Sequence, residues 1–169
     1  FPYKYIHIGG DEAVKKDWEV CVNCQKRMQE EGMTDKNELQ GYLVRHIEKF
    51  LRERGKTVIG WDEIVETGLP EQAVVMSWRG TPGGIKASSE GHDVIMSPNS
   101  YVYLDYYQDL IRKEPKAVGH MQSLRHVYKY DPLDGIDPEY HHHILGLQGN
   151  LWCELIPYPA HAEYMLYPR

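Results

Sequence analysis

The sequence predicts an α/β fold of parallel β/α units with a site along one edge of the sheet. Short apolar runs alternate with helical segments along most of the 169 residues, as in strands covered by helices. Acidic, basic and aromatic residues follow directly on those runs: Asp11-Glu12, Trp61-Asp62-Glu63, Trp78-Arg79 and Trp152-Cys153-Glu154. In β/α barrels that C-terminal strand edge is where active sites are built. A single tryptophan there is as readily a core residue. Three in the same topological position, beside an acidic pair, are harder to ascribe to packing.

The first run, residues 3–6, has the Tyr/Ile content of a strand and leads into His7-Ile8-Gly9-Gly10-Asp11-Glu12. In a regular strand Asp11 and Glu12 point to opposite faces. The Gly-Gly break, free of Cβ constraints, lets both carboxylates turn toward one site. Two like charges in one pocket push their pKa values apart, so that an acid and a base coexist at neutral pH. A polar helical segment with Trp18 and the pair Cys21 and Cys24 comes next. Asp35 and Glu38 then have capping-box spacing. Leu39, Tyr42, Leu43, His46, Ile47, Phe50 and Leu51 recur at helical intervals, which predicts an amphipathic helix with His46 packed on its apolar stripe. Gly55 ends that helix.

Residues 57–61, 73–78 and 93–97 read as strands, with a short helix over 82–90. Residues 98–143 show no clear period. They carry Tyr101, Tyr103, Asp105, Tyr106 and Tyr107, and read as a functional loop. Residues 144–152 read as the last strand, with Cys153 an inert buried thiol, and 161–166 as the start of a helix. His141-His142-His143 reads as a solvated turn.

Composition narrows the partners. A formal charge of −6 argues against nucleic acid and anionic membrane. No apolar window has the length of a membrane span, and no basic, apolar leader precedes the first strand. One Cys-x-x-Cys without a second pair argues for a local disulfide or free thiols rather than a zinc site. A metal-dependent hydrolase using His7, Asp11 and the later histidines lacks ligand spacing beside the acids. No metal or cofactor is therefore expected. Thirteen Tyr and four Trp against two Phe suit a surface that is both stacked upon and hydrogen-bonded, as sugar sites are.

Five motifs stand in order along the chain: His7-Ile8-Gly9-Gly10-Asp11-Glu12, Gly60-Trp61-Asp62-Glu63, Met76-Ser77-Trp78-Arg79-Gly80, Tyr103-Leu104-Asp105 and Gly149-Asn150-Leu151-Trp152-Cys153-Glu154. Together they resemble the β-N-acetylhexosaminidases of glycoside hydrolase family 20. The resemblance implies a (β/α)8 TIM-barrel catalytic domain and removal of terminal β-linked N-acetylglucosamine or N-acetylgalactosamine from glycans. It implies a retaining mechanism in which the substrate's own acetamide is the nucleophile. By the same resemblance Glu12 is the general acid/base, Asp11 holds the acetamido N–H, and Tyr103 donates to the acetamido oxygen. Trp61, Trp78 and Trp152 wall the N-acetyl pocket, Asp105 and Glu154 bind outer hydroxyls, and His7 belongs to the substrate-binding set. Trp18 is structural on this reading. Walls that exclude water would raise the pKa of Glu12.

The family's barrel has eight strands, with the Asp-Glu pair on the fourth, so residues 1–169 correspond to a partial catalytic domain, strands four to eight. An arginine that binds sugar hydroxyls, and a His and Asp that support the acid, come from earlier strands and have no counterpart here. These residues alone are therefore expected to show little activity, or to act as a non-catalytic carbohydrate-binding fragment on the same fold. An open half-barrel is expected to self-associate through its strand edges. The resemblance further implies a secreted, periplasmic or lysosome-like location for the parent protein.

Overall fold

The structure is a computed structural model; it describes residues 2–110 and 113–169, so two positions of the long central segment, 111 and 112, lie outside the described residues. In chain order the elements are β1 (Tyr5–His7), a 3-10 turn (Lys16–Glu19), α1 (Val22–Glu30), α2 (Asn37–Arg52), β2 (Thr57–Trp61) and a 3-10 turn (Asp62–Thr67). They continue with β3 (Val74–Ser77), α3 (Pro82–Ser89), β4 (Val94–Met96), α4 (Asn99–Val102), β5 (Tyr106–Tyr107), β6 (Val118–Met121) and α5 (Leu124–Tyr128). A 3-10 turn (Pro138–His143), β7 (Ile144–Leu147) and α6 (Pro159–Leu166) follow.

Five strands form one parallel sheet in the order β1-β2-β3-β4-β7, and β5 pairs with β6 apart from it. The strands run in chain order, the arrangement expected when helices carry the chain back between neighbours. The register places Trp61 beside Met76 and Ser77 beside Met96, so the strands end nearly level. Alternation along each strand then divides the sheet's side chains between two faces. Val75, Val94 and Met96 face Val44, Ile64 and Ala87 on the helical side. Ile59, Trp61, Val74 and Met76 form a second cluster, to which Trp78 and Ile95 add. A Cβ on Gly84 would stand 2.5 Å from Met96 Sδ, so α3 sits this close to β4 only because that residue is glycine.

Helix α2 is capped as its sequence predicts. Glu38 accepts from the Thr34 and Asp35 amides at 2.9 Å each, and Asp35 Oδ1 accepts from the Asn37 amide at 2.6 Å. At its end the Lys56 amide reaches back to the Leu51 carbonyl and the Gly55 amide to that of Arg52, around Gly55 at φ +68°. Its orientation, however, differs from the expected one. The buried residues are Gln40, Gly41, Val44 and Glu48, while Leu43 and Phe50 are 56% and 52% exposed. His46 is exposed and stacks on Tyr42 rather than packing inside. Close approach decides this: a Cβ on Gly41 would lie 2.4 Å from the Thr67 carbonyl, and Gln40 Nε2 donates to the Gly10 carbonyl at 2.6 Å. A small residue and a polar anchor set the inward face, and apolar periodicity does not register either.

Other expectations move by a few residues. The first strand begins at Tyr5, and the last ends at Leu147. Beyond it Asn150 makes a single bridge to Tyr103. Cys153, expected on that strand as a buried thiol, is exposed, because the chain has already left the sheet. Cys21 and Cys24 are both free. The segment 98–143 is not one loop but holds α4, β5, β6, α5 and a 3-10 turn, each too short to impose a period.

Candidate active site

The pocket lies where the strands end. Gly9 and Gly10 take φ of +75° and +100°, and a Cβ on Gly10 would meet Ile64 Cγ2 at 2.8 Å. Only glycine makes this turn at this distance from the core. Strand β2 holds the turn in place, with the Trp61 amide donating to the Gly9 carbonyl at 2.9 Å. Glu12 follows at φ +47°, the one non-glycine with positive φ among the described residues. A glutamate in the left-handed region costs about 1 kcal/mol, so something must hold it there. The Glu12 amide donates to Glu63 Oε1 at 3.4 Å. Asp11 and Glu12 are both exposed.

The end of β2 is built differently. Asp62 and Glu63 are 2% and 8% exposed. Asp62 Oδ2 accepts from the backbone amides of Trp78 and Arg79 at 3.2 and 3.1 Å, and its Oδ1 accepts from Arg79 Nε at 2.7 Å. Glu63 Oε2 accepts from the Trp78 indole N–H at 2.9 Å. Arg79 also reaches Glu66 at 2.7 Å. Burial pushes the Glu63 carboxyl up from its ordinary range, against the pull of Trp78 and Arg79.

Five aromatic rings line the pocket, those of Trp61, Trp78, Tyr103, Tyr106 and Trp152. Trp61 meets Trp78 edge-on at 6.5 Å and Trp152 at a tilt of 55° and 6.1 Å between ring centres. Tyr103 stacks along Trp78 at 6.3 Å and meets Trp152 edge-on at 6.2 Å. Offset and edge-to-face pairs of this kind fix ring planes as well as adding attraction. Burial lifts the Tyr103 phenol to about 12, so it stays protonated and able to donate near neutral pH. Asp105 is 3% exposed, and its Oδ1 has no partner. Its carboxyl is raised by burial and by the charge of Glu154. An unsatisfied, buried acceptor beside an open cavity calls for a donor from outside the protein.

The cavity measures about 330 Å³ and is lined by Asp11, Glu12, Trp61, Trp78, Tyr103, Asp105, Tyr106, Val118, Trp152 and Glu154. Eight of those are residues the sequence singles out for the site. His7 alone of that set stands behind the lining, edge-on to Trp61 at 5.0 Å, with Nδ1 accepting from the Gly9 amide at 3.1 Å. Burial lowers its pKa, and Asp11 partly offsets the shift. Tyr106 and Val118 are additional. The sequence placed Tyr106 in the functional loop without a role, and nothing local marked Val118. Glu63 was visible only as the third member of a motif.

Arg169 anchors the far wall. Its guanidinium donates to the carbonyls of Leu104, of Tyr106 at 2.9 Å, of Gln122 at 3.1 Å and of Met165 at 2.8 Å. Arg169 thus pins the segment that carries Tyr103 and Asp105. Among the described residues no three His, Cys, Asp or Glu side chains converge as a metal site requires.

The profile of the glycosyl hydrolase family 20 catalytic domain matches residues 1–169. Similar proteins include a β-hexosaminidase of Porphyromonas gingivalis, 48% identical over 171 residues, which cover 100% of this chain and 22% of that protein. A β-hexosaminidase of Vibrio furnissii is 38% identical, covering 100% of the chain and 28% of the relative. Among solved structures, the GH20 exo-β-N-acetylglucosaminidase of Vibrio harveyi in complex with N-acetylglucosamine superposes with a TM-score of 0.86 at 36% identity, covering 99% of this chain and 27% of that one. The chain thus spans about a quarter of the length of the relatives it matches.

Proposed function

The chain belongs to glycosyl hydrolase family 20, with its sheet forming part of a TIM-barrel catalytic domain, and on that premise we propose that the protein carrying it hydrolyses terminal β-linked N-acetylhexosamine from glycans by a retaining, substrate-assisted mechanism. The observation that carries the proposal is one pocket holding the Asp11-Glu12 pair, a box of aromatic rings and the Asp105 carboxylate with its Oδ1 unpartnered. The relatives named β-hexosaminidases, and the Vibrio harveyi structure that holds N-acetylglucosamine, support a substrate of this class.

In this reading the 2-acetamido oxygen attacks the anomeric carbon, and its tether to the reacting ring gives it a very high effective molarity. Trp61, Trp78 and Trp152 hold the acetamide and the sugar face, and the Tyr103 hydroxyl donates to the acetamide oxygen. Asp11 accepts the amide N–H and stabilises the positive charge that develops as the ring closes. Glu12 gives its proton to the departing glycosidic oxygen, then takes one from the water that opens the cyclic intermediate. Asp105 and Glu154 accept from outer hydroxyls, which satisfies the orphaned oxygen of Asp105. Two inversions at one carbon retain its configuration.

Proton NMR of the first-formed sugar, together with the rate on a 2-hydroxy analogue, tests the mechanism. A retained anomer and a nearly unreactive analogue are expected. An inverted product, or equal rates with and without the acetamide, would leave a conventional two-carboxylate hydrolase instead.

A second reading applies to residues 1–169 by themselves. Asp11 and Glu12 are exposed on an outer strand, and Tyr5, Leu145 and Leu147 lie 41%, 48% and 47% exposed on the two outer strands. As an isolated piece they are a sugar-binding, self-associating half-site with little turnover. Full activity from a monodisperse monomer of these residues would refute it.

A further inference from the structure

We propose that Glu63 is a positioning residue for the reaction proposed above, one carboxylate that holds both the general acid Glu12 and the pocket wall Trp78; the inference rests on that reading of Glu12. Glu63 is not one of the residues that line the cavity. It is 8% exposed and lies behind the cavity rather than on it. Its two oxygens face different parts of the site. Oε2 accepts from the Trp78 indole at 2.9 Å, and Oε1 accepts from the Glu12 amide at 3.4 Å, with Arg79 Nε 3.7 Å away.

Three features make this more than a packing contact. Glu12 holds a left-handed backbone at φ +47°, which its own β-carbon disfavours, and Glu63 supplies the partner for its amide across fifty-one positions of sequence. Second, the backbone at Trp78 is already fixed by Asp62, which accepts from the amides of Trp78 and Arg79. Glu63 is not required for that. What it adds is the plane of the indole and the tie to Glu12. Third, a buried carboxylate is unfavourable unless its charge is used, and burial does push this one up. A glutamine of the same shape avoids that penalty but has one acceptor oxygen. It can serve Trp78 or Glu12, and its amide nitrogen turns a donor toward the other donor. Only a carboxylate accepts from both at once.

The test exploits what Glu12 does. A misplaced acid harms substrates that need protonation, whereas general loosening of the fold slows all substrates alike. In the full-length protein, kcat and KM of wild type, Glu63→Gln and Glu63→Ala are measured on aryl β-N-acetylglucosaminides from 2,4-dinitrophenyl to 4-methoxyphenyl. We expect kcat for Glu63→Gln to fall about tenfold or more on the poor leaving group and about threefold or less on the good one. The Trp78 indole N–H and Glu12 amide resonances, assigned with Trp78→Phe and Glu12→Gln, both shift in Glu63→Gln. A uniform loss across leaving groups, wild-type rates in both variants, or a Glu63→Gln protein that does not fold overturns the proposal in favour of a structural role. A wild-type protein that cleaves none of these glycosides refutes the proposed function instead; an unmoved Glu12 amide in Glu63→Gln then refutes this inference as well.

Discussion

The ends of β1 and β2 face the same pocket and are built in opposite ways. At the end of β2, Asp62 and Glu63 are buried, and each carboxylate is satisfied by the Trp78-Arg79 dipeptide of the next strand. At the end of β1, Asp11 and Glu12 are exposed on a turn that only glycine permits. The carboxylates of the wall are paired within it, while the turn that carries the proposed reacting groups is held from outside, Gly9 by Trp61, Gly10 by the Gln40 side chain and Glu12 by Glu63. The difference teaches that precision at the β1 end is borrowed. The buried end of β2 supplies partners for the backbone of the β1 turn.

The sharpest test of that division removes groups from the β1 end alone. Glu12→Gln should lower kcat by about 10²–10⁴-fold on poor leaving groups, and far less on activated aryl glycosides, with the melting temperature little changed. Asp11→Asn should lower kcat strongly for 2-acetamido substrates and change KM far less, because its charge matters most in the transition state. Steady-state kinetics beside thermal denaturation checks both. A large stability loss in either would show that the β1 end carries structure as well.

The wall has its own signature. Tyr103→Phe deletes a hydroxyl and leaves the ring in its stack on Trp78. A fall of about a hundredfold in kcat/KM is expected, confined to substrates with the acetamide. Ile64 joins the two regions, being 0% exposed and in position to meet Cβ atoms at both Gly10 and Gly60. Ile64→Ala should cost about 2–5 kcal/mol of stability, read from denaturant unfolding, and should loosen the β1 turn with it. Unchanged stability would break the claim that the buried end supports the exposed one.

The smallest effect is a gain. The Asp105 carboxyl is raised in the folded state, so the folded protein binds its proton more tightly than the unfolded chain. Stability from this group is then fullest at acid pH and falls as pH rises above the ordinary aspartate range. Asp105→Asn should raise the melting temperature at pH 7 and leave it unchanged at low pH, while weakening sugar binding. A variant less stable at pH 7 would mean that the carboxylate is paired in the folded protein.

The site was more legible in the sequence than the packing around it. Chemistry restricts residue type, so Asp11-Glu12, three tryptophans and Tyr103-Leu104-Asp105 stand out wherever they occur, and the structure gathers them. The strands were legible for the related reason that fully buried runs such as Thr57–Trp61 have little freedom of composition. Helix α2 was legible as a helix but not in its orientation, because Gly41 and Gln40 choose the inward face through contacts distant in sequence. Val118 carries no chemical mark and reaches the pocket only because the Val118 amide pairs with the Asp105 carbonyl at 3.1 Å. Glu63 could have been inferred only by knowing which donors stand opposite its two oxygens.

The Arg169 clamp has a consequence for motion. One guanidinium holds carbonyls from residues 104, 106, 122 and 165, so the far wall of the pocket and the segment 165–169 open together or not at all. Hydrogen exchange should therefore report 103–107, 120–122 and 165–169 as a single sub-global unit with one opening free energy, distinct from the sheet. A sugar bound at Asp105 would slow exchange at residue 165 without touching it.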